Sequence, residues 1–373
     1  MVFLFVVPRF HTNLRGWVSS LQEKGHTVYI LASFEGPTED HSLLKPAIHE
    51  QSLLSKFICA TLGDGGGDRA NLFPSIYDLL SVFHRLKPDF VIIRNPKRKT
   101  SILAIIAAKL YKSKVVFYTQ SRFDKWSTFK IGTLAFLLKC LDAAWFSPLM
   151  NKISEPYRNK RFFFAPFAIT TPRSCIRHDP KPTRLLMIGK YGESRKNHEI
   201  FLQAIALLNR NEVEAWFVGE SSDGPSKMRL KHLKKIAQDL GIRDQVKFFE
   251  NIVPCEMAQL YQLSDLFVLP SRNEPAAISV LEALAHGLPA VCSSTCGTRT
   301  YIRRGVNGHV FRSEDPETLK RIIEKIIRDP RTFSGYKNSA LESASSFTPE
   351  QFYKNFSNLA KEVWEVSIQE HES

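Results

Sequence analysis

The stretch Leu269–Ala283, which reads LPSRNEPAAISVLEA, indicates both the fold class and a ligand. A predicted strand ends at Leu269, the first residue of this stretch. Pro275 is typical of a first helical turn, so a helix is predicted from about Ala276. The first N–H groups of a helix attract anions. Glu274 and Glu282 would repel a phosphate there unless they accept hydrogen bonds from hydroxyl groups attached to it. The ligand that fits is a nucleotide sugar.

A second stretch, Leu185–His198, has the same strand-then-helix form. Its strand ends at Gly189, and Asn197 is a favourable residue for a helix N-cap. Cations beside a helix N-terminus favour a diphosphate, although an exposed lysine loop is an equal alternative. A third strand runs into Gly219, where glycine permits either close approach of a ligand or a simple turn. The cations of the second stretch are Lys190, Arg195 and Lys196.

Short apolar strands alternate with helical periodicities along the chain, which predicts α/β architecture with doubly wound parallel sheets. Two such series are separated by a proline-rich connector at 165–182. We therefore expect Rossmann-like domains at 1–165 and 166–345, followed by a helical segment at 346–373. Ligands bind at the carboxyl ends of strands in such domains.

Composition excludes a disordered or fibrous chain, a secreted protein built on disulfides and an integral membrane protein. The chain has 373 residues, a formal charge of +14 and 43% hydrophobic residues, which is typical of a globular protein of two domains. No apolar run approaches the roughly 18 residues of a membrane span. The six cysteines form no Cys-x-x-Cys pair. This pattern predicts free thiols in the cytoplasm.

The positive charge is concentrated in Arg85–Lys130, which holds 12 basic and 2 acidic residues. Such a segment can bind an anionic membrane, a phosphate-bearing acceptor or nucleic acid, or it can be a solvated helix face. No nucleic-acid-binding motif accompanies it, so we expect no nucleic acid partner. Trp126–Trp145 has the composition of an amphipathic helix with basic flanks. Packing against a sheet is the alternative to a membrane there.

The ordered series of motifs from Leu185 to Asp329 resembles the donor-binding domain of family 4 (group 1) glycosyltransferases. It includes Gly189-Lys190, Val218-Gly219, Glu274-x7-Glu282 and Gly305-Val-Asn-Gly308. The resemblance implies a GT-B fold, in which two Rossmann-like domains face a central cleft. It also implies an acceptor-binding N-terminal domain, a donor-binding C-terminal domain, and a last helix that crosses back to the first.

The resemblance implies roles for particular residues. Lys190 and Lys196 should hold the diphosphate, Glu274 should contact the sugar and Glu282 the ribose. We expect Glu274, Lys196 and Lys190 to act in catalysis by positioning and electrostatic stabilisation. The remaining donor-binding residues implied are Gly189, Arg195, Gly219, Asn251, Ile252, Ala276, Ala277 and Ile278.

The first domain departs from the family pattern. Its first turn lacks the usual glycine, so His11 or Asn13 could take over that position on the acceptor side. Gln120 stands where many members have a His, and it cannot act as a base. The chain has no Asp-x-Asp motif, in line with a fold that needs no metal; no cofactor is expected.

The resemblance therefore implies a retaining glycosyltransferase that moves a sugar from a nucleotide sugar, with UDP or GDP as the expected nucleotide. The acceptor would be a glycan or lipid-linked molecule of bacterial lipopolysaccharide, O-antigen, capsule or exopolysaccharide synthesis. We expect a cytoplasmic protein that can lie on the inner face of the plasma membrane. The alternatives are an epimerase or hydrolase of the same fold, a glycosidase using Glu274 and Glu282, and a basic non-enzymatic adaptor.

Overall fold

A computed structural model describes two compact units, Met1–Ala168 with Thr348–Ser373, and Ile169–Phe347. The described residues are 1–36, 39, 41–53, 55, 73–123, 126–149, 160–170, 182–209, 212–312 and 314–368. Most of the predicted connector, 171–181, lies outside them.

The first unit contains a seven-stranded parallel sheet of order β3-β2-β1-β4-β5-β6-β7. Its strands are short and mostly apolar, as expected for strands that are buried on both faces. They are β1 (Val2–Val7), β2 (Thr27–Ala32), β3 (Ala47–Ile48), β4 (Phe90–Arg94), β5 (Lys114–Tyr118), β6 (Ala143–Ser147) and β7 (Phe162–Phe164).

Helices cover both faces of this sheet. On one face, α2 (Ile76–Leu86), α3 (Lys99–Leu110) and α4 (Thr128–Cys140) share one hydrophobic cluster with the strands. On the other face, α1 (Thr12–Glu23) packs against α11 (Pro349–Trp364). Aromatic stacking holds that second layer together, with Trp17 of α1 stacked on Phe352 of α11.

The second unit contains a six-stranded parallel sheet of order β10-β9-β8-β11-β12-β13. Its strands are β8 (Thr183–Ile188), β9 (Val213–Gly219), β10 (Val246–Glu250), β11 (Leu266–Leu269), β12 (Ala290–Ser293) and β13 (Gly308–Phe311). Its helices are α5 (His198–Ala206), α6 (Gly224–Asp239), α7 (Pro254–Gln262), α8 (Ile278–Ala285), α9 (Pro316–Ile327) and α10 (Pro330–Ala344).

The predicted fold class is confirmed, because both sheets are parallel and doubly wound. Two local predictions were wrong. The helix expected from Ala276 begins at Ile278, two residues after the position that the proline suggested. The stretch Trp126–Trp145 is not one helix, because α4 ends at Cys140 and β6 follows. Residues 143–147 are all buried, so they extend the sheet.

Candidate functional site

The strand order locates the candidate site in the second unit. β8 is followed along the chain by β9 on one side, while β11 pairs with β8 on the other side. The connections after β8 and β11 therefore leave the sheet in opposite directions and open a crevice between them, which is where ligands bind in this class of fold. The two predicted ligand-binding stretches, Leu185–His198 and Leu269–Ala283, run from the ends of β8 and β11 into this crevice.

Arg195 and Lys196, in a 3₁₀ turn after β8, both bind Glu274, which lies after β11. The Lys196 Nζ donates to Glu274 Oε2 at 2.7 Å, and Arg195 Nη1 donates to the same oxygen. The Glu274 side chain is only 5% exposed, so these charge-assisted bonds lie in a low dielectric and are strong.

Two hydrogen bonds to backbone carbonyls also join the turn after β8 to the loop after β11. The Arg272 N–H donates to Arg195 O at 2.7 Å. The side-chain amide of Asn197 donates to Pro270 O at 3.3 Å.

The remaining charges near this cluster lie closer to solvent. Arg195 pairs with Glu193 at 2.7 Å. Lys190 pairs with Glu220 at 2.5 Å, so the two lysines predicted to act together are held by different carboxylates. Burial raises the pKa of Glu220, but hydrogen bonds from Lys190 and Ser222 outweigh it and bring the pKa below its usual value. The cations at this edge are therefore compensated by carboxylates.

Gly189 and Gly219 allow two backbone segments, at the ends of β8 and β9, to pack closely against each other. A Cβ on Gly219 would lie 2.4 Å from the carbonyl oxygen of Gly189, and a Cβ on Gly189 would lie 3.0 Å from the Lys196 side chain. The ring of His198 also contacts this point, with its Nε2 3.2 Å from Gly189 O. Burial lowers the His198 pKa to about 4, so this imidazole is neutral at physiological pH.

The beginning of α8 completes this edge. Ala277 is its N-cap residue, extended and without a side-chain cap, and Ala276 precedes it. The N–H groups of Ile278 and its neighbours in the first turn have no acceptor inside the helix. The helix dipole therefore presents positive potential beside Glu274.

Glu282 lies one turn further along α8 and is held by a different partner. The Tyr261 hydroxyl donates to Glu282 Oε2 at 2.6 Å. Burial raises the pKa of Glu282, and the hydrogen bond from Tyr261 offsets this only in part. Tyr261 in turn stacks on His286, with ring centroids 5.0 Å apart. The two carboxylates therefore have different partners: Glu282 accepts from a neutral hydroxyl, whereas Glu274 pairs with cations.

The loop after β10 folds onto the end of β9. Asn251 has a left-handed backbone, with φ of 54°. Its N–H donates to Gly219 O at 3.0 Å, and its Oδ1 accepts from Ser221 N–H at 2.9 Å. Ile252 follows and is half-buried. The side chain of Asn251 therefore shapes the loop.

Asn13 and Gln120, two of the three predicted acceptor-side residues of the first unit, lie beside Tyr118. Gln120 Nε2 donates to the Tyr118 hydroxyl at 2.8 Å, and burial raises the pKa of Tyr118 while the Asn13 side chain acts against this rise. Arg94, at the end of β4, donates to Gln120 Oε1 at 3.1 Å. The third, His11, accepts a hydrogen bond at Nε2 from Arg9 Nε at 3.0 Å.

Sequence reasoning missed three side chains at these edges. Arg94 belongs to the basic segment Arg85–Lys130, and its place at the end of β4 is the signal that could have marked it. The Tyr118 hydroxyl lies at the end of β5 in the same way. Tyr191 is fully buried, and its hydroxyl lies 2.9 Å from the carbonyl oxygens of Phe217 and Phe249. No sequence pattern marked Tyr191, because its role is to join two strand ends.

Three further observations concern the described residues. Within them, no group of three His, Cys, Asp or Glu side chains is placed to hold a metal ion. None of the helices described is both long and apolar enough to cross a bilayer. A cavity of about 1060 Å³ lies at the opposite edge of the second sheet, beside Thr183, Asp265 and His286, and its lining contains none of the predicted site residues.

Comparison with known proteins finds relatives of the second unit. The family model described as "Glycosyl transferases group 1" matches residues 171–342. D-inositol 3-phosphate glycosyltransferase 1 of Catenulispora acidiphila is 31% identical over 169 residues, covering 44% of this chain and 40% of that protein. The corresponding protein of Thermobispora bispora is 30% identical over 168 residues, covering 44% and 39%. The matched part thus spans about two fifths of these relatives.

Solved structures match over nearly the whole chain. A glycosyltransferase from Rickettsia africae superposes with a TM-score of 0.72 at 15% identity, covering 98% of this chain and 99% of that one. Anabaena HepE in complex with UDP gives 0.71 at 14% identity, with 96% and 99% covered. At these identities the likeness shows the fold alone. The chain therefore has the GT-B fold, and its residues 171–342 are similar to the group 1 glycosyltransferases.

Proposed function

We propose that this protein is a retaining glycosyltransferase that moves a sugar from a nucleotide sugar to an acceptor hydroxyl. The observation that carries the proposal is the buried Glu274 carboxylate, bound by Arg195 and Lys196 directly before the start of α8. Cations and a helix N-terminus suit a diphosphate, and a carboxylate beside them suits the hydroxyl groups of the sugar.

In this proposal the diphosphate of the donor replaces Glu220 as the partner of Lys190 and Glu193 as a partner of Arg195. Glu193 and Glu220 have side chains 34% and 19% exposed, compared with 5% for Glu274, so their ion pairs are closer to solvent and easier for a diphosphate to replace. Glu274 keeps its buried position and accepts hydrogen bonds from the transferred sugar. Glu282 contacts the ribose, and the loop at Asn251 and Ile252 lies beside the base.

The protein contributes to the reaction by stabilising charge. The bond between the sugar and the diphosphate breaks, negative charge grows on the leaving oxygen, and Lys190, Arg195 and Lys196 stabilise it. The acceptor hydroxyl attacks from the same face and gives its proton to the leaving phosphate, which retains the configuration. No metal takes part, so turnover should be unchanged after treatment with EDTA; loss of turnover that Mg²⁺ restores would contradict this.

The substrates are proposed from the relatives. HepE is described in complex with UDP and with UDP-glucose, which supports a UDP-sugar over a GDP-sugar. The D-inositol 3-phosphate glycosyltransferases and the lipopolysaccharide outer core galactosyltransferase WaaB support a phosphorylated or lipid-linked glycan acceptor. We therefore propose a role in bacterial lipopolysaccharide, O-antigen, capsule or exopolysaccharide synthesis, in the cytoplasm at the inner face of the plasma membrane.

Thermal unfolding with UDP, GDP, ADP and dTDP tests the donor site. A nucleotide at about a hundred times its Kd should stabilise the protein by about 2.7 kcal/mol. We expect UDP to give the largest shift, and Lys196→Ala to abolish it. Lys320→Ala is a matched control, because Lys320 pairs with Glu324 on the surface of α9. Equal shifts in both variants would contradict the site, and release of free sugar without an acceptor would indicate a hydrolase.

A further inference from the structure

The outer surface of α3 and α4 in the first unit is unusually apolar. Six large apolar side chains on these two helices are between 46% and 85% exposed. Those of α3 recur every four residues and therefore lie on one side of the helix. They are Ile102, Ile106 and Leu110 on α3, and Phe129, Phe136 and Leu137 on α4.

This surface is separate from the face that packs on the sheet. α3 buries Ala104, Ala107 and Ala108, and α4 buries Ile131, Ala135 and Leu138. A surface helix normally carries polar residues opposite its buried face. Here both faces are apolar, so the core does not account for the exposed one.

The two helices lie on the same side of the sheet. Each connects neighbouring parallel strands, α3 between β4 and β5 and α4 between β5 and β6. Successive crossovers of this kind are right-handed, so they place both helices on one face. Both helices also contribute to one hydrophobic cluster. Their exposed apolar residues therefore lie on the outward side of one helical layer, and we call this side of the two helices the α3–α4 surface.

The charged residues within α3 and α4 have a single sign. Lys99 and Lys109 of α3 and Lys130 and Lys139 of α4 are all exposed, and neither helix contains an Asp or Glu. The Lys130 Nζ lies 3.9 Å from the centre of the Trp126 ring. Apolar side chains bordered by lysines, with an aromatic ring beside them, are the pattern of helices that lie in a membrane interface.

We propose that the α3–α4 surface binds an anionic lipid bilayer, with the apolar side chains entering the headgroup region. Charge argues against a second copy of the chain, because a symmetric dimer through this surface would place lysines opposite lysines, with no carboxylate on either helix to pair with them. The proposal specifies the surface for the membrane location given under the proposed function, and it does not depend on the donor site.

Sedimentation of the full chain with vesicles tests the proposal. We expect binding to vesicles that contain phosphatidylglycerol at low salt, weaker binding at physiological salt, and little binding to phosphatidylcholine alone. Lys130→Ala with Lys139→Ala should weaken binding about 25-fold, at about fivefold for each lysine near the surface. Phe129→Ser with Phe136→Ser should weaken it at least about tenfold.

The control variant is Met228→Ser with Lys231→Ala on α6 of the second unit, where Met228 is 69% exposed. It should bind vesicles as the unchanged protein does. Each variant should keep its thermal shift with UDP, which shows that it is folded and separates this test from that of the donor site. Failure of the unchanged protein to bind anionic vesicles would overturn the proposal. So would a dimer in analytical ultracentrifugation that the Phe129→Ser, Phe136→Ser variant abolishes.

Discussion

The carboxyl edges of the two sheets differ in their chemistry. In the second unit, Arg195, Lys196 and Glu274 form a charged cluster. In the first unit, the neutral groups of Tyr118 and Gln120 meet the cation of Arg94. A diphosphate requires cations and a helix end at defined places, whereas a hydroxyl group can be bound largely by neutral hydrogen-bond partners. The first requirement leaves a recognisable pattern in a sequence, and the second does not.

The largest expected effects are on the charged cluster. Lys196→Ala and Glu274→Ala should each lower turnover about a hundredfold, because each removes about 3 kcal/mol of transition-state stabilisation. The two variants should differ in nucleotide binding. Lys196→Ala loses the UDP shift, whereas Glu274→Ala keeps it, because its cations stay available to phosphate. Steady-state kinetics and thermal unfolding measure both quantities, and near-normal turnover in either variant would refute the assignment.

The next effect is on stability at the same edge. Gly219→Ala should lower the free energy of unfolding by about 1–3 kcal/mol, because its Cβ would lie 2.4 Å from a backbone oxygen that cannot move freely. Gly224→Ala is the control, because a Cβ there meets nothing within 4 Å. Urea unfolding measures both variants. Equal stability of the two would show that the close packing of β8 and β9 can relax.

A smaller effect is expected at the uncharged edge. Arg94→Ala should raise the KM for the acceptor about tenfold, the cost of one lost hydrogen bond to a charged group. The UDP shift should not change. Arg85→Ala is the control, because Arg85 lies in the last turn of α2. An acceptor KM unchanged in the Arg94 variant, or a lost UDP shift, would remove the distinction between the two edges.

The smallest effect concerns Glu282. Because its pKa is raised in the folded protein, the folded state holds this proton more tightly than the unfolded state does. Its contribution to stability is therefore complete below the ordinary pKa of 4.5 and is lost as the pH rises through the raised value. Glu282→Gln, which can still accept from Tyr261, should flatten this part of the profile of unfolding midpoint against pH. An unchanged slope would contradict the assignment.

The sequence predicted the fold class because alternating strands and helices with a proline-rich break leave few other architectures. It also located the strand ends that carry Glu274 and Lys196. It did not predict their direct ion pair, because the two residues are far apart in the chain and meet only when β11 pairs with β8. The start of α8 was misplaced by two residues, since Pro275 restricts its own backbone without requiring that the next residue be helical.

Residue identity alone determined two parallel α/β units, the group 1 resemblance of the second, and the concentration of positive charge in the first. Only the tertiary structure decided which partner each charge takes, that Gly219 accommodates the backbone at Gly189, and that α4 presents Phe129 and Phe136 to solvent. The physical reason is that strand order and helix rotation, set by long-range packing, determine which side chains meet. Composition and local periodicity describe the residues but not their neighbours.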